Sequence, residues 1–134
     1  MAETVIIKEV AARDGLQAQP KQLTVAQRIA LVAALAKTGV PELEIGSFVS
    51  PKAVPQMAGT DEIAASLPAV DLAYSALVPN MKGYELAVRA GVRSHAIALA
   101  ATEEMNQTNI RKSLEGTFVM GEEILARAAA DGVA

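Results

Sequence analysis

Cysteine and tryptophan are absent from this sequence, and histidine occurs once, at His95. Without cysteine the chain forms no disulfide, offers no thiolate nucleophile and builds no zinc centre with sulfur ligands. A single histidine excludes an internal pair of histidine metal ligands. Aromatic residues are only 3% of the chain, too few for a base-stacking platform. Lysine and arginine number 12 against 15 aspartates and glutamates, a net charge of −3. The basic footprint that a nucleic acid requires is missing, so no nucleic-acid partner is expected. No uninterrupted apolar run approaches the ~18 residues of a membrane span, so no membrane partner is expected either. The opening residues, Met-Ala-Glu-Thr-Val-Ile-Ile-Lys, show neither the basic nor the long apolar segment of a secretion signal. The expectation is a cytoplasmic protein.

What is present is apolar and small. Hydrophobic residues make up 51% of 134 positions, and 27 of these are alanine. That length and composition suit one domain, residues 1–134, with helices packed closely on another layer. Val5–Val10 is short and β-branched and reads as a buried strand. Thr24 with Gln27 forms a capping box, and Val25, Ile29, Val32 and Ala36 share the face of the helix it opens, which Gly39 and Pro41 stop. Glu42–Ile45 reads as a second strand, followed by a loop with Pro51 and Pro55 and a short helix from Thr60 to Ser66. Asp71–Val78 is a third strand, and Pro79-Asn80 caps a helix to Ala90. Ser94–Ala101 is a fourth strand, and a helix from Ser113 to Asp131 stops at Gly132.

Strands that alternate with helices imply a parallel sheet with crossover helices, either an open doubly wound sheet or a (β/α)8 TIM barrel. Strand starts at Val5, Glu42, Asp71, Ser94 and Val133 average roughly 32 residues apart, and eight such units approach the ~250 residues of a complete barrel. The expected fold is therefore α/β, about the first four βα units of a TIM barrel. Val133-Ala134 falls where a fifth strand should begin, so the barrel is expected to continue past residue 134. Half a barrel has two open sheet edges, a liability in a free monomer.

Barrel active sites lie at the C-terminal ends of the strands. There the first unit carries Arg13-Asp14-Gly15. One reading is a surface turn, with Asp-Gly supplying the turn geometry. The other is a cation beside a carboxylate, with Asp14 holding a hard divalent metal and Arg13 stabilising an oxyanion. Alternation in the second strand sends Leu43 and Ile45 to the helices and Glu44 to the barrel centre. A buried carboxylate is costly unless paired or bound to metal, so Glu44 is either an ion-pair partner of Arg13 or an active-site group.

Three segments carry a resemblance. Arg13-Asp-Gly-Leu-Gln17 followed by Glu44-Ile-Gly-Ser-Phe-Val-Ser-Pro-Lys-Ala-Val-Pro-Gln-Met57 closely resembles the 3-hydroxy-3-methylglutaryl-CoA lyase family. Leu77-Val-Pro-Asn-Met-Lys-Gly-Tyr-Glu85 and Ala100-Ala-Thr-Glu-Glu-Met-Asn-Gln-Thr-Asn-Ile110 are also similar to it. The resemblance implies the N-terminal half of a barrel enzyme that splits hydroxymethylglutaryl-CoA into acetyl-CoA and acetoacetate, a step of leucine catabolism, with Mg²⁺ or Mn²⁺ as cofactor. It implies Asp14 as the metal carboxylate, Arg13 as the arginine that steadies the enolate, and Glu44 as an active-site glutamate. Gln17 and Ser47 match positions lining the same pocket. The implied partner is an acyl-CoA substrate, in a homo-oligomer. Glu9 would share a strand face with Arg13 and orient it.

The sequence also departs from the family. Ala11-Ala12 stands where Gly-Pro precedes Arg-Asp, and Ala18-Gln19 where Asn-Glu is common. The family's His-x-His metal ligands, ligand asparagine and acid thiol all belong beyond the fourth unit. His95 is no such motif: by alternation it shares a face with Ile97 and Leu99, toward the helices, which is a structural role. Two other readings stand beside the lyase. One is a related condensation or aldol cleavage on the same barrel, and the other is a non-catalytic scaffold chain that covers its open edges by association. Of the smaller features, Lys52 reads as a solvated loop lysine and Met57 as a packing residue. Asn106 and Asn109 read as loop or cap residues, and Ile124–Ala130 as a packing face.

Overall fold

The computed structural model describes residues 3–134. Four strands, β1 (Lys8–Glu9), β2 (Glu42–Ser47), β3 (Ala73–Leu77) and β4 (Ser94–Ala96), form one sheet in that order. Every pairing is parallel, and each strand returns through helices: α1 (Val25–Leu35), α2 (Thr60–Ala65), α3 (Met81–Arg89), and α4 (Glu103–Ile110) with α5 (Leu114–Asp131).

Helix starts follow the sequence signals. Thr24 Oγ1 accepts from the Gln27 amide while the Thr24 amide donates to Gln27 Oε1, the expected capping box. Asn80 Oδ1 accepts from the Gly83 amide and Ser113 Oγ from the Gly116 amide. Gly132, in the left-handed region at φ +65°, closes α5, a conformation glycine adopts without a Cβ penalty.

The core lies between the helices and one face of the sheet. Leu43, Ile45, Ala76 and Val78 are fully buried there with Val32, Ile63, Tyr84 and Ile124. Met57 is buried, as expected of a packing residue, and Lys52 is exposed in a turn. Of the alanine-rich stretch only Ile124 and Ala128 pack. Leu125, Ala126, Ala129 and Ala130 are exposed, because one helix face alone meets the sheet layer.

Strand lengths correct the sequence reading at both edges. β1 is two residues long, and Val5, Ile6 and Ile7 before it are 82%, 64% and 64% exposed. Its ladder begins only where Lys8 meets Glu42, and no described strand lies on its other side, so β-branched side chains that read as buried have nothing to pack against. β4 ends at Ala96 because its pairing with β3 runs only from Ser94 to Ala96. Backbone pairing nevertheless continues on its outer edge. The His95 amide donates to the Ala134 carbonyl at 2.7 Å and the Ala134 amide to the Arg93 carbonyl at 3.0 Å, so Ala134 lies alongside β4.

Helix α4 is absent from the sequence reading. Asn106, expected in a loop or cap, lies inside it and is 1% exposed. Its Nδ2 donates to the Lys112 and Ser113 carbonyls and to Thr117 Oγ1, tying α4 to α5. The overlooked signal is Thr102, whose hydroxyl accepts from the Met105 amide ahead of Glu103 and Glu104.

Removing the α1 cap tests this layer. Thr24→Ala is expected to lower unfolding stability by about 1 kcal/mol, read as a shift in the urea midpoint with an unchanged slope.

Candidate functional site

Chain direction places the candidate residues together. Because all strands are parallel, their C-terminal ends share one rim. A cavity of about 360 Å³ opens there, lined by Arg13 and Gln17 after β1, Ser47 and Val49 at the end of β2, Leu77 and Pro79 after β3, Ala98 after β4, and Asn109 from α4.

Arg13 reaches it from a single π turn, Ala11–Gly15. The Val10 carbonyl accepts from the amides of Arg13, Asp14 and Gly15 at 3.1, 2.8 and 3.3 Å, and this wide turn lifts two consecutive charged residues to the rim. Ala12 is buried in the core beneath them. Glu9 does not orient Arg13 as expected: its Oε1 accepts from the Ala11 amide at 2.7 Å, so it closes the start of the turn.

The guanidinium of Arg13 is divided between two carboxylates. Its Nε donates to Glu44 Oε1, and its Nη1 donates to Asp14 Oδ1 at 3.0 Å. The two partners differ in setting, since the Glu44 side chain is 4% exposed and that of Asp14 is 68% exposed. Of the two readings of Glu44, the ion pair is present: its charge is matched by Arg13. Among the described residues two of the five guanidinium N–H donors are engaged.

β2 carries a feature that alternation alone misses. In register, Glu44 pairs with Ser75 and Ser47 with Leu77, with a register shift between them. Strict alternation after Glu44 would send Gly46 inward and Ser47 to the helices. The bulge reverses this. A Cβ built on Gly46 would lie 2.7 Å from Thr60 Oγ1 and 2.9 Å from Arg28 Nη2, on the helix side, while Ser47 lines the cavity. The Ser47 hydroxyl and the Gln17 Oε1 are buried without a hydrogen-bond partner, as is the Ser75 hydroxyl. Ser75, which pairs with both Glu44 and Ser94 across the sheet, is a polar inward residue the sequence reading passed over. Its signal is a serine at an alternating position within an apolar strand.

Asp14 is a hard oxygen donor at the rim. Among the described residues no group of three or more histidine, cysteine, aspartate or glutamate side chains surrounds a common point. His95 lies elsewhere, as expected. Its ring meets Tyr84 edge-on at 5.1 Å on the helix side, and Nε2 contacts the Val92 carbonyl at 3.0 Å. Burial pushes its pKa below the ordinary histidine value, opposed by the Val92 contact.

Parallel βα units with a charged rim at the strand C-termini match the first four units of a (β/α)8 barrel. Residues 4–133 match the HMGL-like family model, and the chain belongs to that family. Hydroxymethylglutaryl-CoA lyase of Pseudomonas mevalonii is 47% identical over 117 residues, covering 87% of this chain and 39% of the relative. (R)-citramalyl-CoA lyase of Chloroflexus aurantiacus is 44% identical over 128 residues, with 87% and 40% covered. Among solved structures, the HMG-CoA lyase from Brucella melitensis superposes with a TM-score of 0.94 at 40% identity, covering 99% of this chain and 47% of that one. An HMG-CoA lyase from Acinetobacter baumannii in complex with coenzyme A and 3-methylmalate gives 0.87 at 33% identity, covering 91% and 40%. The chain thus spans about two fifths of the length of the curated relatives it matches. Among the described residues no helix is long and apolar enough to cross a membrane.

The buried pair and the buried histidine are each open to measurement. Glu44→Ala removes the buried partner of Arg13 and leaves it only the exposed Asp14, and is expected to cost about 2 kcal/mol, read by denaturant unfolding. A histidine with a lowered folded pKa binds fewer protons than the unfolded chain. Its contribution is fully present above the unfolded value of about 6.5 and is lost as the pH falls from there through the lower folded value. Unfolding free energy measured at pH 7, 6 and 5 should fall less in His95→Gln than in the unaltered protein.

Proposed function

We propose that this chain is the N-terminal half of a metal-dependent carbon–carbon lyase, which in the complete barrel cleaves hydroxymethylglutaryl-CoA to acetyl-CoA and acetoacetate. The observation that carries the reading is the Arg13 guanidinium at the strand C-termini, held by buried Glu44 and flanked by exposed Asp14, in a chain whose relatives bear lyase names. In the cleavage, the substrate's tertiary hydroxyl loses its proton and becomes the ketone of acetoacetate. The electrons of the breaking carbon–carbon bond pass to the acetyl-CoA enolate, which then takes up a proton.

Each residue has a part. Arg13 directs its free N–H groups at the developing enolate oxygen, where preorganised donors lower the barrier most. Glu44 orients Arg13 and matches its charge. Gln17 and Ser47 offer unpartnered polar atoms to the bound acyl chain. Asp14 is the residue of this chain that would hold a Mg²⁺ or Mn²⁺ ion, through a carboxylate oxygen, together with further ligands. One exposed carboxylate fits the hard-oxygen preference of such ions. When bound, the cation polarises the substrate oxygens and eases loss of the hydroxyl proton. A homo-oligomer accords with the exposed Phe118, Val119 and Leu125 on α5. A cytoplasmic location accords with substrates whose CoA phosphates do not cross membranes. The citramalyl-CoA lyase relative supports a second reading, the same cleavage on a different 3-hydroxyacyl-CoA.

Steady-state kinetics of the complete barrel containing this chain test the assignment. Arg13→Lys should lower kcat by about 100- to 1,000-fold, as for loss of an oxyanion donor. Asp14→Asn should raise the metal concentration for half-maximal rate about tenfold or more. A complete barrel that leaves hydroxymethylglutaryl-CoA intact with Mg²⁺ or Mn²⁺ supplied would refute the reading. Faster cleavage of citramalyl-CoA would select the second.

A further inference from the structure

Arg28 is a charged residue that no part of the proposed chemistry uses. It projects from α1 and is 2% exposed, yet no carboxylate lies within ion-pair distance of it among the described residues. Burial alone lowers its pKa. An interior cation is expensive, so what it holds is informative. Its Nη1 donates to the Ala58 carbonyl at 2.6 Å and its Nη2 to Thr60 Oγ1 at 3.3 Å. The Thr60 hydroxyl lies 3.2 Å from the Ser47 carbonyl and 2.8 Å from that of Met57. All of this sits directly beneath Gly46, where a Cβ would strike both side chains.

We propose that Arg28, acting through Thr60, is the positioning residue for the Ser47 hydroxyl. The strand ladder places Glu44, but the bulge between Glu44 and Ser47 breaks that register. Ser47 rejoins the ladder opposite Leu77 only beyond the bulge, so which way its side chain points depends on what holds the bulge in shape and not on alternation from Glu44. Arg28 holds it, pinning the far end of the segment at Ala58 and Thr60 while Thr60 grips the near end at Ser47. Glycine at 46 leaves the room. A guanidinium suits the task because its planar fork reaches two acceptors at once, whereas a lysine ammonium acts as a point charge. The inference rests on the lyase reading, in which Ser47 contacts substrate.

Arg28→Lys in the complete barrel is the test, with Thr60→Val as a second variant that keeps shape but removes the relay. Loss of a hydrogen bond to a charged group is worth roughly tenfold in an equilibrium constant or more. KM for hydroxymethylglutaryl-CoA is expected to rise about tenfold, with kcat within about threefold, because Arg13 and Glu44 lie on the other side of the bulge. In a Ser47→Ala background the same substitution should add little, since residues acting as one unit are not additive. Trypsin cleavage after exposed Lys52, midway along the segment, should accelerate in both variants. A folded Arg28→Lys protein with unchanged KM and unchanged Lys52 cleavage, or with effects fully additive to Ser47→Ala, overturns the proposal. If Arg28→Lys does not fold, the same comparisons on Thr60→Val decide it. If the unaltered barrel has no lyase activity, the functional reading fails, while Lys52 cleavage still decides whether Arg28 fixes the segment.

Discussion

A carboxylate on the inner face of the sheet, Glu44, must be matched by a cation, and the molecule is arranged to bring one. On one side β3 offers Ser75 and apolar groups, and on the other the one cation of β1, Lys8, pairs with Glu42, so the match comes from the rim. The π turn after β1 hangs three amides on the Val10 carbonyl and carries Arg13 over the sheet end to meet Glu44. Asp14 follows on the same turn and remains in solvent. One electrostatic requirement therefore sets the position of all three charged groups at the site. Removing Arg13 would leave the buried Glu44 carboxylate unmatched, which is far more costly than loss of a surface ion pair.

The second organising element is the irregularity in β2. Up to Ile45 the strand behaves as pleating demands, with Leu43 and Ile45 against the helices and Glu44 opposite. Beyond the bulge the sense reverses, and a serine hydroxyl rather than a glycine hydrogen meets the cavity. Bulges beside functional rims are a recurring way to re-aim one side chain without altering the rest of a strand. The cost is that the segment from Ser47 to Thr60 needs its own anchors, and the buried Arg28–Thr60 pair is placed where those anchors are required.

The two edges of the sheet belong to the same architecture. At β1 the β-branched Val5–Ile7 stand exposed, and at β4 the backbone of Ala134 already pairs with Arg93 and His95. Both edges leave backbone and apolar side chains available for further pairing, and the relatives the chain matches are more than twice as long. The cavity at the rim is likewise bounded by the first four βα units alone.

Apart from α4 and its cap, the order of elements, their parallel character and the helix caps could be read from local chemistry, because a capping box, a glycine stop or an alternating strand is defined within a few residues. Arg13, Asp14 and Glu44 were legible for the same reason: charged residues at strand ends, or alternating into a sheet, announce themselves. The edge segments Val5–Ile7 and Ile97–Ala101 could not be judged locally, since a strand extends only as far as its neighbour does. Both are apolar throughout, yet neither joins the ladder. Helix α4 depended on Asn106 finding acceptors at the start of α5, and the inward turn of Ser47 depended on Arg28 and Thr60 meeting beneath Gly46. Local sequence determined which elements form and where charge gathers. Contacts between residues distant in the chain decided how long the edge strands run, which way Ser47 points and which cation holds it there.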